Sequence, residues 1–235
     1  MVEGRRVAAV IPALDEAGAI GTVLDAVDRS LVDTVVVADN GSTDGTELVA
    51  KRHGARVVVE PRRGYGSACL RALAEPEVRD ADFVVFFDGD GSDDPTEIPA
   101  VVGPLADETA DVVIGSRVLG RAEPGALTPV QRFGNRLTCT LVRWFWGVAY
   151  TDLGPFRSVT KDALARLDMS DKDFGWTIEM QVKAAQLGLR VVEVPVTRRN
   201  RRAGRSKVSG SIVGSFHAGK RILQYVFEAK FGRGR

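Results

Sequence analysis

The sequence is poor in cysteine and histidine. Its 235 residues include only Cys69 and Cys139, and only His53 and His217. Two thiols far apart in the chain can form neither a disulfide framework nor a four-cysteine zinc site. Two histidines are too few for a multi-histidine metal centre. We therefore predict two reduced cysteines with a structural role.

Long hydrophobic runs are also absent. No uncharged apolar stretch approaches the ~18 residues that a membrane-spanning helix needs. The chain enters an apolar strand-like run at Val7, which leaves no room for a signal peptide. The composition, 44% hydrophobic and 27% charged, excludes collagen-like, disordered and coiled-coil proteins. We expect a cytoplasmic protein with one large domain, or a domain with a helical extension.

The net charge of +1 conceals an uneven distribution. The first 196 residues hold 21 Lys or Arg and 30 Asp or Glu, whereas the chain from Thr197 onward holds 11 Lys or Arg and a single acid, Glu228. This is not the pattern of a nucleic-acid-binding protein, and we predict no nucleic-acid partner. It fits a body that holds a cation and a tail that meets phosphates or an anionic membrane surface.

Apolar runs alternate with segments of helical periodicity in the first half of the chain. We predict strands over 7–12, 34–38, 56–59, 83–87 and 111–114, and helices that begin near 16, 43, 66 and 95, with Ser42 as the N-cap of the second. This alternation predicts an α/β fold with a mainly parallel sheet and helices on both faces. Beyond Ser116 we predict a loop to about Pro129, helices over 130–148, 174–187 and 209–231, and a strand over 190–196.

Ligands of such sheets bind beyond the carboxyl ends of the strands, and polar sequences follow four of the predicted strands. These are Asp15-Glu16, Asp39-Asn40-Gly41-Ser42, Arg62-Arg63-Gly64-Tyr65-Gly66-Ser67 and the run 88–94. For the second of them, ordinary turn chemistry is an equal alternative. The third is not a dinucleotide fingerprint, because Cys69 stands where the third glycine belongs. We predict instead a flexible loop whose amides, including that of Gly66, approach the ligand.

Four acids occupy seven positions after the fourth strand. Clustered carboxylates raise one another's pKa unless a cation or hydrogen-bond donors neutralise them. Asp88 and Asp90 flank a glycine and lie on one face of an extended backbone. They predict a Mg²⁺ or Mn²⁺ site that substrate phosphates complete. The alternative is a helix-capping turn before Pro95, with Asp94 as the N-cap; the spacing of a twelve-residue calcium loop is missing.

In their order along the chain, these segments resemble the family 2 glycosyltransferases of GT-A fold. Four later segments resemble the branch that contains the dolichol-phosphate mannose and polyprenyl-phosphate glucose synthases: Ile114-Gly115-Ser116-Arg117, Asp152-Leu153-Gly154-Pro155-Phe156, Glu193-Val194-Pro195-Val196 and 201–207. The resemblance covers about residues 5–210. It implies a GT-A domain over 1–208, with a nucleotide-binding half (1–117) and an acceptor-binding half (118–208), followed by an amphipathic basic helix over 209–235.

The resemblance also implies roles for individual residues. The expected ligands of the nucleoside diphosphate come from the strand ends and the basic run: Pro12, Leu14, Glu16, Asp39, Asp88, Arg201 and Lys207. Asp88 and Asp90 are expected to bind the metal ion, Asp90 as a catalytic residue. Arg117 is expected at the reacting centre, near the donor and acceptor phosphates. Arg132 and Asn135 are expected to bind the acceptor phosphate.

The implied reaction moves a sugar from a nucleoside diphosphate to an acceptor oxygen with inversion. A phosphate acceptor is largely ionised at pH 7, since its second pKa is near ~6, and needs only arginine forks to position it. An alcohol acceptor needs a carboxylate base. Asp152 is the first candidate for a catalytic base, with loop capping as its alternative role, and Asp173 and Glu179 are reserves. The hypotheses are transfer to a polyprenyl phosphate, transfer to a soluble hydroxyl, and a nucleotide-binding protein without turnover.

Arginines and aromatic residues are mixed in the helix predicted over 130–148 and in the tail. This mixture predicts contact with a membrane surface, and hence a peripheral protein at the inner face of the cytoplasmic membrane. Packing on the body or a homodimer contact is the alternative. The basic run 198–207 is expected to close over phosphates as a lid, with a solvated basic loop as the alternative.

Overall fold

The computed structural model describes residues 2–203 and 212–232, with only the backbone described over 212–217. Its strands are β1 Val7–Ala13, β2 Thr34–Asp39, β3 Arg56–Val59, β4 Phe83–Phe86, β5 Val112–Ala122, β6 Arg157–Thr160 and β7 Val191–Arg198. Its helices are α1 Ala17–Asp25, α2 Thr46–Arg52, α3 Tyr65–Leu73, α4 Pro76–Arg79, α5 Ile98–Ala106, α6 Pro129–Trp146, α7 Lys161–Leu167, α8 Trp176–Gln186 and α9 Ile212–Phe231. A 3₁₀ turn over Pro95–Glu97 precedes α5.

The seven strands form one sheet in the order β3-β2-β1-β4-β6-β5-β7. All neighbouring pairs are parallel except those of β6, which runs antiparallel to β4 and β5. Successive residues of a strand face opposite sides, so Val10 and Phe86 pack into one core and Ile11 and Phe83 into the other. Both faces are therefore buried, as the continuous apolar runs require, and the predicted α/β fold is confirmed.

Three predicted segments differ from the structure. β6 was not predicted, because its sequence Arg-Ser-Val-Thr has no apolar pattern; Arg157 is fully buried, and its guanidinium donates to the carbonyls of Gly154 and Thr177. The loop predicted after Ser116 is wrong in its first part, because β5 continues to Ala122 by pairing with β7. The division predicted between residues 117 and 118 falls inside this strand.

The start of α2 also differs. The Asp44 carboxylate accepts from the amides of Ala17 and Thr46, which holds the preceding residues in a turn. The helix begins at Thr46, with Gly45 at φ +90° before it, so the prediction of Ser42 as N-cap is wrong. The N-cap prediction for Asp94 is confirmed, since its carboxylate accepts from the Thr96 amide at 3.2 Å.

The C-terminal helix α9 packs on the body. Val226 is fully buried in the same core as Val10, and the Lys230 ammonium donates to the carbonyl of Phe145 on α6. Among the described residues, none of the helices combines the length and the apolar character needed to cross a membrane. Cys69 and Cys139 are buried free thiols, which confirms the prediction of reduced cysteines.

Candidate active site

The carboxyl ends of β1, β2 and β4 lie side by side at one edge of the sheet. Ala13 pairs with Asp39, so the loops that follow β1 and β2 start at the same level. β4 pairs with the other side of β1 and leads into Asp88. The sheet order thus brings together three of the four polar strand ends that the sequence singles out.

Hydrogen bonds join the loops after β1 and β2. Asp39 accepts from the Ser42 amide at 2.9 Å and from its hydroxyl at 2.5 Å. The Ser42 hydroxyl in turn accepts from the amide of Asp15, whose carboxylate accepts from the Thr43 amide at 2.8 Å. Asp15 has φ +52°, a conformation that needs such local support. A cavity of about 370 Å³ opens beside Asp39. Pro12 and Leu14 are half-buried at the end of the β1 strand and just beyond it.

The acids after β4 lie in a compact and largely buried loop. Asp90 and Asp93 are 4% and 2% exposed. Asp93 accepts from the amide of Asp88, and Asp90 accepts from both the amide and the hydroxyl of Ser92. Burial, followed by the charges of Asp93 and Asp90, raises the pKa of Asp88 to about 7. The loop therefore carries more negative charge than its own hydrogen bonds neutralise.

Cations from the end of β7 neutralise this charge. We call residues 198–202, four of which are arginines, the arginine strap. Nη1 of Arg198 lies 2.7 Å from the Asp93 carboxylate, and Arg199 pairs with Asp94. Nη1 of Arg198 also lies 3.5 Å from Oδ2 of Asp88, and Arg201 pairs with Asp90 and with Glu16, both at 2.5 Å.

The backbone of the arginine strap is anchored on the same loop. The amides of Arg199 and Arg202 donate to the carbonyls of Ser92 and Asp90 at 2.8 and 3.1 Å. Gly91 allows this approach, because a Cβ at its position would lie 2.8 Å from the Arg202 side chain and its φ is +76°. The first part of the predicted lid thus lies across the aspartates, whereas Lys207 falls outside the described residues.

The donor set at this edge suits a hard divalent cation. Asp88 and Asp90 offer carboxylate oxygens, the ligands that Mg²⁺ and Mn²⁺ prefer. Within the part of the chain that the structure describes, no three His, Cys, Asp or Glu side chains are grouped as a complete metal site. Two protein carboxylates with phosphate and water ligands are the arrangement expected for an ion that binds together with its substrate.

Arg117 and Asp152 form a two-pronged pair, close enough to the aspartates that the charge of Arg117 lowers the pKa of Asp88, against the larger effect of burial. Nε and Nη2 of Arg117 lie 2.7 and 2.6 Å from the two Asp152 oxygens. The same carboxylate accepts from the backbone amides of Arg117 and Leu153 at 2.7 and 2.8 Å. Asp152 is 1% exposed. Four donors therefore point at the Asp152 oxygens, and the carboxylate holds the Arg117 side chain in one direction.

Three other predicted site residues have a different environment from the expected one. The Asn135 side-chain amide donates to the carbonyl of Thr151 and accepts from the amide of Leu153, so its main contacts are with this backbone, and one N–H of its amide nitrogen is left over. Gly66 donates its amide to the Asp173 carbonyl, and a Cβ there would lie 2.0 Å from a backbone oxygen, so packing rather than a ligand accounts for this glycine. Arg132 is exposed and donates to the carbonyl of Leu127.

The reserve bases lie outside this arrangement. Glu179 is 1% exposed and accepts from Ser170 and Lys183, so it is as fully occupied as Asp152. Asp173 is exposed, and its carbonyl supports the Gly66 loop.

The segments that hold Arg198, Asp93 and Glu193 stand out in the sequence, but the partners of these three residues could not be predicted. Each pairs with a partner more than 40 positions away or through a loop backbone, so no local pattern marks the contact. The place of these residues in the sequence was the only signal. Arg198 begins the basic run after a predicted strand, and Glu193 lies in a segment that resembles the family.

Comparison with known proteins shows the family of this chain. The family described as glycosyl transferase family 2 matches residues 8–167. An uncharacterized glycosyltransferase of Mycobacterium tuberculosis is 39% identical over 216 residues, 92% of this chain and 95% of that protein. The undecaprenyl-phosphate mannosyltransferase of Micrococcus luteus is 34% identical over 226 residues, 89% of this chain and 90% of that protein.

A solved structure points to the same class. Glucosyl-3-phosphoglycerate synthase from M. tuberculosis, crystallised with Mn²⁺, UDP-glucose and phosphoglyceric acid, superposes with a TM-score of 0.79 at 26% identity. The match covers 99% of this chain and 81% of that one. The fold and the strand-end site define a glycosyltransferase. The chain belongs to glycosyl transferase family 2.

Proposed function

We propose that this enzyme is an inverting, metal-dependent glycosyltransferase that moves a sugar from a nucleoside-diphosphate sugar to a polyprenyl phosphate. The observation that carries the choice of acceptor is the state of Asp152, whose oxygens accept from Arg117 and from backbone amides. A hydroxyl acceptor needs a base, whereas a phosphate monoester with a second pKa near ~6 is already ionised. The group that this side of the site presents is the guanidinium of Arg117 rather than a free carboxylate. A guanidinium suits a phosphate acceptor.

On the donor side, we assign the nucleoside to Pro12, Leu14, Glu16 and Asp39, of which Asp39 also lines the cavity of about 370 Å³. Asp88 and Asp90 are the assigned metal ligands. Mn²⁺ and UDP-glucose in the crystals of the 26%-identical synthase support both assignments. In this proposal residues 1–117 hold most donor ligands and residues 118–208 form the acceptor-binding half, although Arg117 and the arginine strap each serve the opposite side, and the helix predicted over 209–235 follows.

The chemistry requires positive charge around the leaving diphosphate. A divalent cation, when bound, supplies part of that charge. Arg198 and Arg201 supply more, and each has a buried Nε without a hydrogen-bond partner among the described residues. Donors fixed in advance around developing charge lower the barrier. Arg117 holds the acceptor phosphate in line, and a single displacement inverts the anomeric carbon.

The acceptor proposal also draws on a relative. The M. luteus protein, named for undecaprenyl phosphate, matches this chain over nine-tenths of its length. A polyprenyl acceptor lies in a membrane, so the enzyme must meet a bilayer surface. Exposed aromatic and basic residues on α6 and α9 offer one: Trp144 is 74% exposed, Phe231 66%, and Arg143 and Lys230 lie beside them in the sequence. We place the enzyme at the inner face of the cytoplasmic membrane.

A soluble acceptor is the second candidate. The M. tuberculosis synthase is crystallised with phosphoglyceric acid, and a glucosyl-3-phosphoglycerate synthase of Mycolicibacterium paratuberculosis is 43% identical over 114 residues of this chain. That alignment covers 43% of this chain and 34% of that protein. Such an acceptor carries a phosphate that Arg117 could also bind.

The test is transfer of label from radiolabelled UDP- and GDP-sugars with Mn²⁺ or Mg²⁺. One arm contains undecaprenyl phosphate in detergent, and the other contains 3-phosphoglycerate. We expect label in the organic phase of the first arm and an inverted anomer in the product. Label that remains aqueous with every donor rejects the polyprenyl acceptor, and product in the second arm alone establishes the soluble one.

A further inference from the structure

The segment Thr151–Gly154, between α6 and β6, carries Asp152 and is gripped through its backbone. Asn135 of α6 donates to the Thr151 carbonyl at 2.9 Å and accepts from the Leu153 amide at 2.8 Å. Gln181 of α8 donates to the Asp152 carbonyl at 3.0 Å. Two carbonyls and one amide of the segment are therefore bonded to side chains of two helices.

A strand provides the third grip. Both oxygens of Glu193, on β7, lie 2.9 Å from the Thr151 amide, and one lies 3.1 Å from the Asp152 amide. We call Asn135, Gln181 and Glu193 the loop clamp. These three residues come from elements that are far apart in sequence and converge on three consecutive residues.

Burying these polar groups has a cost that the hydrogen bonds must offset. Gln181 is 1% exposed, and burial raises the pKa of Glu193, whereas the bonds from Thr151 and Asp152 act in the opposite direction. Glu193 and Asn135 are half-buried, and a half-buried carboxylate loses part of the hydration that its hydrogen bonds must replace. A loop that needed only to be closed could bond to water or to other backbone groups. The clamp instead fixes the position of this loop.

The position of the loop decides the position of Arg117. Asp152 occupies the Nε and Nη2 edge of the guanidinium, which makes its plane and direction depend on the loop. Nη1 lies outside this two-pronged pair, and it is the nitrogen that we assign to the acceptor phosphate. A shift of the loop by 1 Å would turn this nitrogen away from its target, and errors of that size cost enzymes about 10²-fold in rate.

We propose that Glu193 and Asn135 are positioning residues, which act through the Asp152 loop to aim Arg117 at the acceptor phosphate. This inference rests on the proposed function for the role of Arg117. Neither residue touches the substrate in this account. Asn135 thus contributes to the acceptor side indirectly, through Thr151 and Leu153, and not by binding the phosphate itself.

The first test needs no substrate. In protein labelled with ¹⁵N-arginine, we expect a slowly exchanging Nε–H signal that disappears in Arg117→Ala. Glu193→Gln removes one of the two carboxylate oxygens that accept from the Thr151 amide, and it should speed this exchange at least tenfold. Asn135→Ala should act in the same direction. Thr140→Ala, a change on the same helix outside the clamp, is the control and should leave the signal as it is. Unchanged exchange in both clamp variants overturns the proposal.

The second test is a double-mutant cycle on transfer to undecaprenyl phosphate. Glu193→Gln alone should lower kcat/KM at least tenfold, with the Kd values of Mn²⁺ and UDP within about twofold of the parent. In the Arg117→Ala background the same change should cost less than about twofold, since its effect passes through Arg117. If Glu193→Gln lowers kcat/KM by the same factor in the parent and in the Arg117→Ala background, the proposal is wrong. An absence of lipid product in the parent rejects the acceptor instead and leaves the exchange test standing.

Discussion

Nη1 of Arg201 lies 2.5 Å from Oδ2 of Asp90, so a guanidinium occupies one of the two carboxylates that we assign to the metal. The same arginine pairs with Glu16 at 2.5 Å, and Glu16 lies on the donor side of the site. One cation thus bridges the two groups that a metal ion and a nucleotide must approach. Binding of the metal then requires Arg201 to move, and a diphosphate offers it a new partner.

Arg201→Ala is therefore expected to change two affinities in opposite directions. Loss of a competing cation should tighten Mn²⁺ binding in the absence of nucleotide by about threefold to tenfold, because charge-assisted hydrogen bonds contribute roughly 1.5–3 kcal/mol before solvent screening. Loss of a diphosphate ligand should weaken UDP binding in saturating Mn²⁺ about tenfold. Titration calorimetry measures both.

The matched control is Arg199→Ala, on the same strap. Arg199 pairs with Asp94, which caps the 3₁₀ turn and is not an assigned metal ligand. Its Mn²⁺ affinity should equal that of the parent. Weaker binding of both ligands by Arg201→Ala would reject competition at Asp90.

Asp90→Asn is expected to reduce turnover by at least 10²-fold with little change in stability. The amide keeps an acceptor for Ser92 but removes the charge that holds the ion, and electrostatic groups of this kind are worth about 10²–10³ in kcat. Release of nucleoside diphosphate at saturating Mn²⁺ is the measurement. Asp107→Asn, at the exposed end of α5, is the control, and turnover within twofold of the parent for both variants would remove Asp90 from the mechanism.

Much of the donor side could be predicted from sequence because it depends on local rules. Buried parallel strands require apolar runs, and parallel strand ends meet at one edge, so Asp39 and Asp88 could be brought together without coordinates. The acceptor side could not be predicted from sequence in the same way. Its centre is the pair of Arg117 and Asp152, held by Asn135, and hydrogen bonds between distant elements leave no periodicity in the sequence. For a hydroxyl acceptor the sequence made Asp152 a candidate base, with loop capping as the alternative, because its four donors come from residues that no local pattern connects to it.

The difference between local patterns and contacts of distant elements also explains two errors in the predicted sheet, the missing β6 and the shortened β5. β6 has the one fully buried arginine among the described side chains, Arg157, and a buried charge within a strand contradicts the hydrophobic pattern on which strand prediction depends. The extension of β5 past Ser116 depends on β7, which lies about 75 residues away and supplies the hydrogen-bond partners of Arg121 and Ala122.

A stability prediction follows from Glu75, which lies between two arginines. Its carboxylate is 2.7 Å from Nε of Arg56 and 2.5 Å from Nη1 of Arg71, and the hydrogen bonds from Arg56 lower its pKa. A lowered pKa in the folded state stabilises the fold above the unfolded pKa of ~4.3, and this contribution is lost as the pH falls through the folded value.

Glu75→Gln should therefore lower the Tm by about 2–4 °C at pH 7, if the half-exposed partners leave about 1 kcal/mol of the interaction. The difference in Tm between parent and variant should be constant above about pH 5 and shrink below pH 4. Differential scanning calorimetry from pH 3 to 8 checks this. A difference that grows on acidification would show that the interaction has the opposite sign.

The exposed aromatic residues at the ends of α6 and α9 give the last prediction. Phe145 lies against Phe227 and Phe231 with ring centroids 6.1 and 5.5 Å away, and the Lys230 ammonium is 5.6 Å from the Phe145 ring. The packed rings hold Phe231 at the surface beside a cation, as an interfacial helix requires. Phe231→Ala and Trp144→Ala should each weaken binding to vesicles of 70% phosphatidylcholine and 30% phosphatidylglycerol by about tenfold, which corresponds to roughly 1.4 kcal/mol of apolar burial. Val59→Ala, an exposed apolar change on the edge strand β3, is the control and should bind as the parent does. Sedimentation with vesicles measures the partition, and equal binding of all the variants would mean that these aromatic residues do not meet the bilayer.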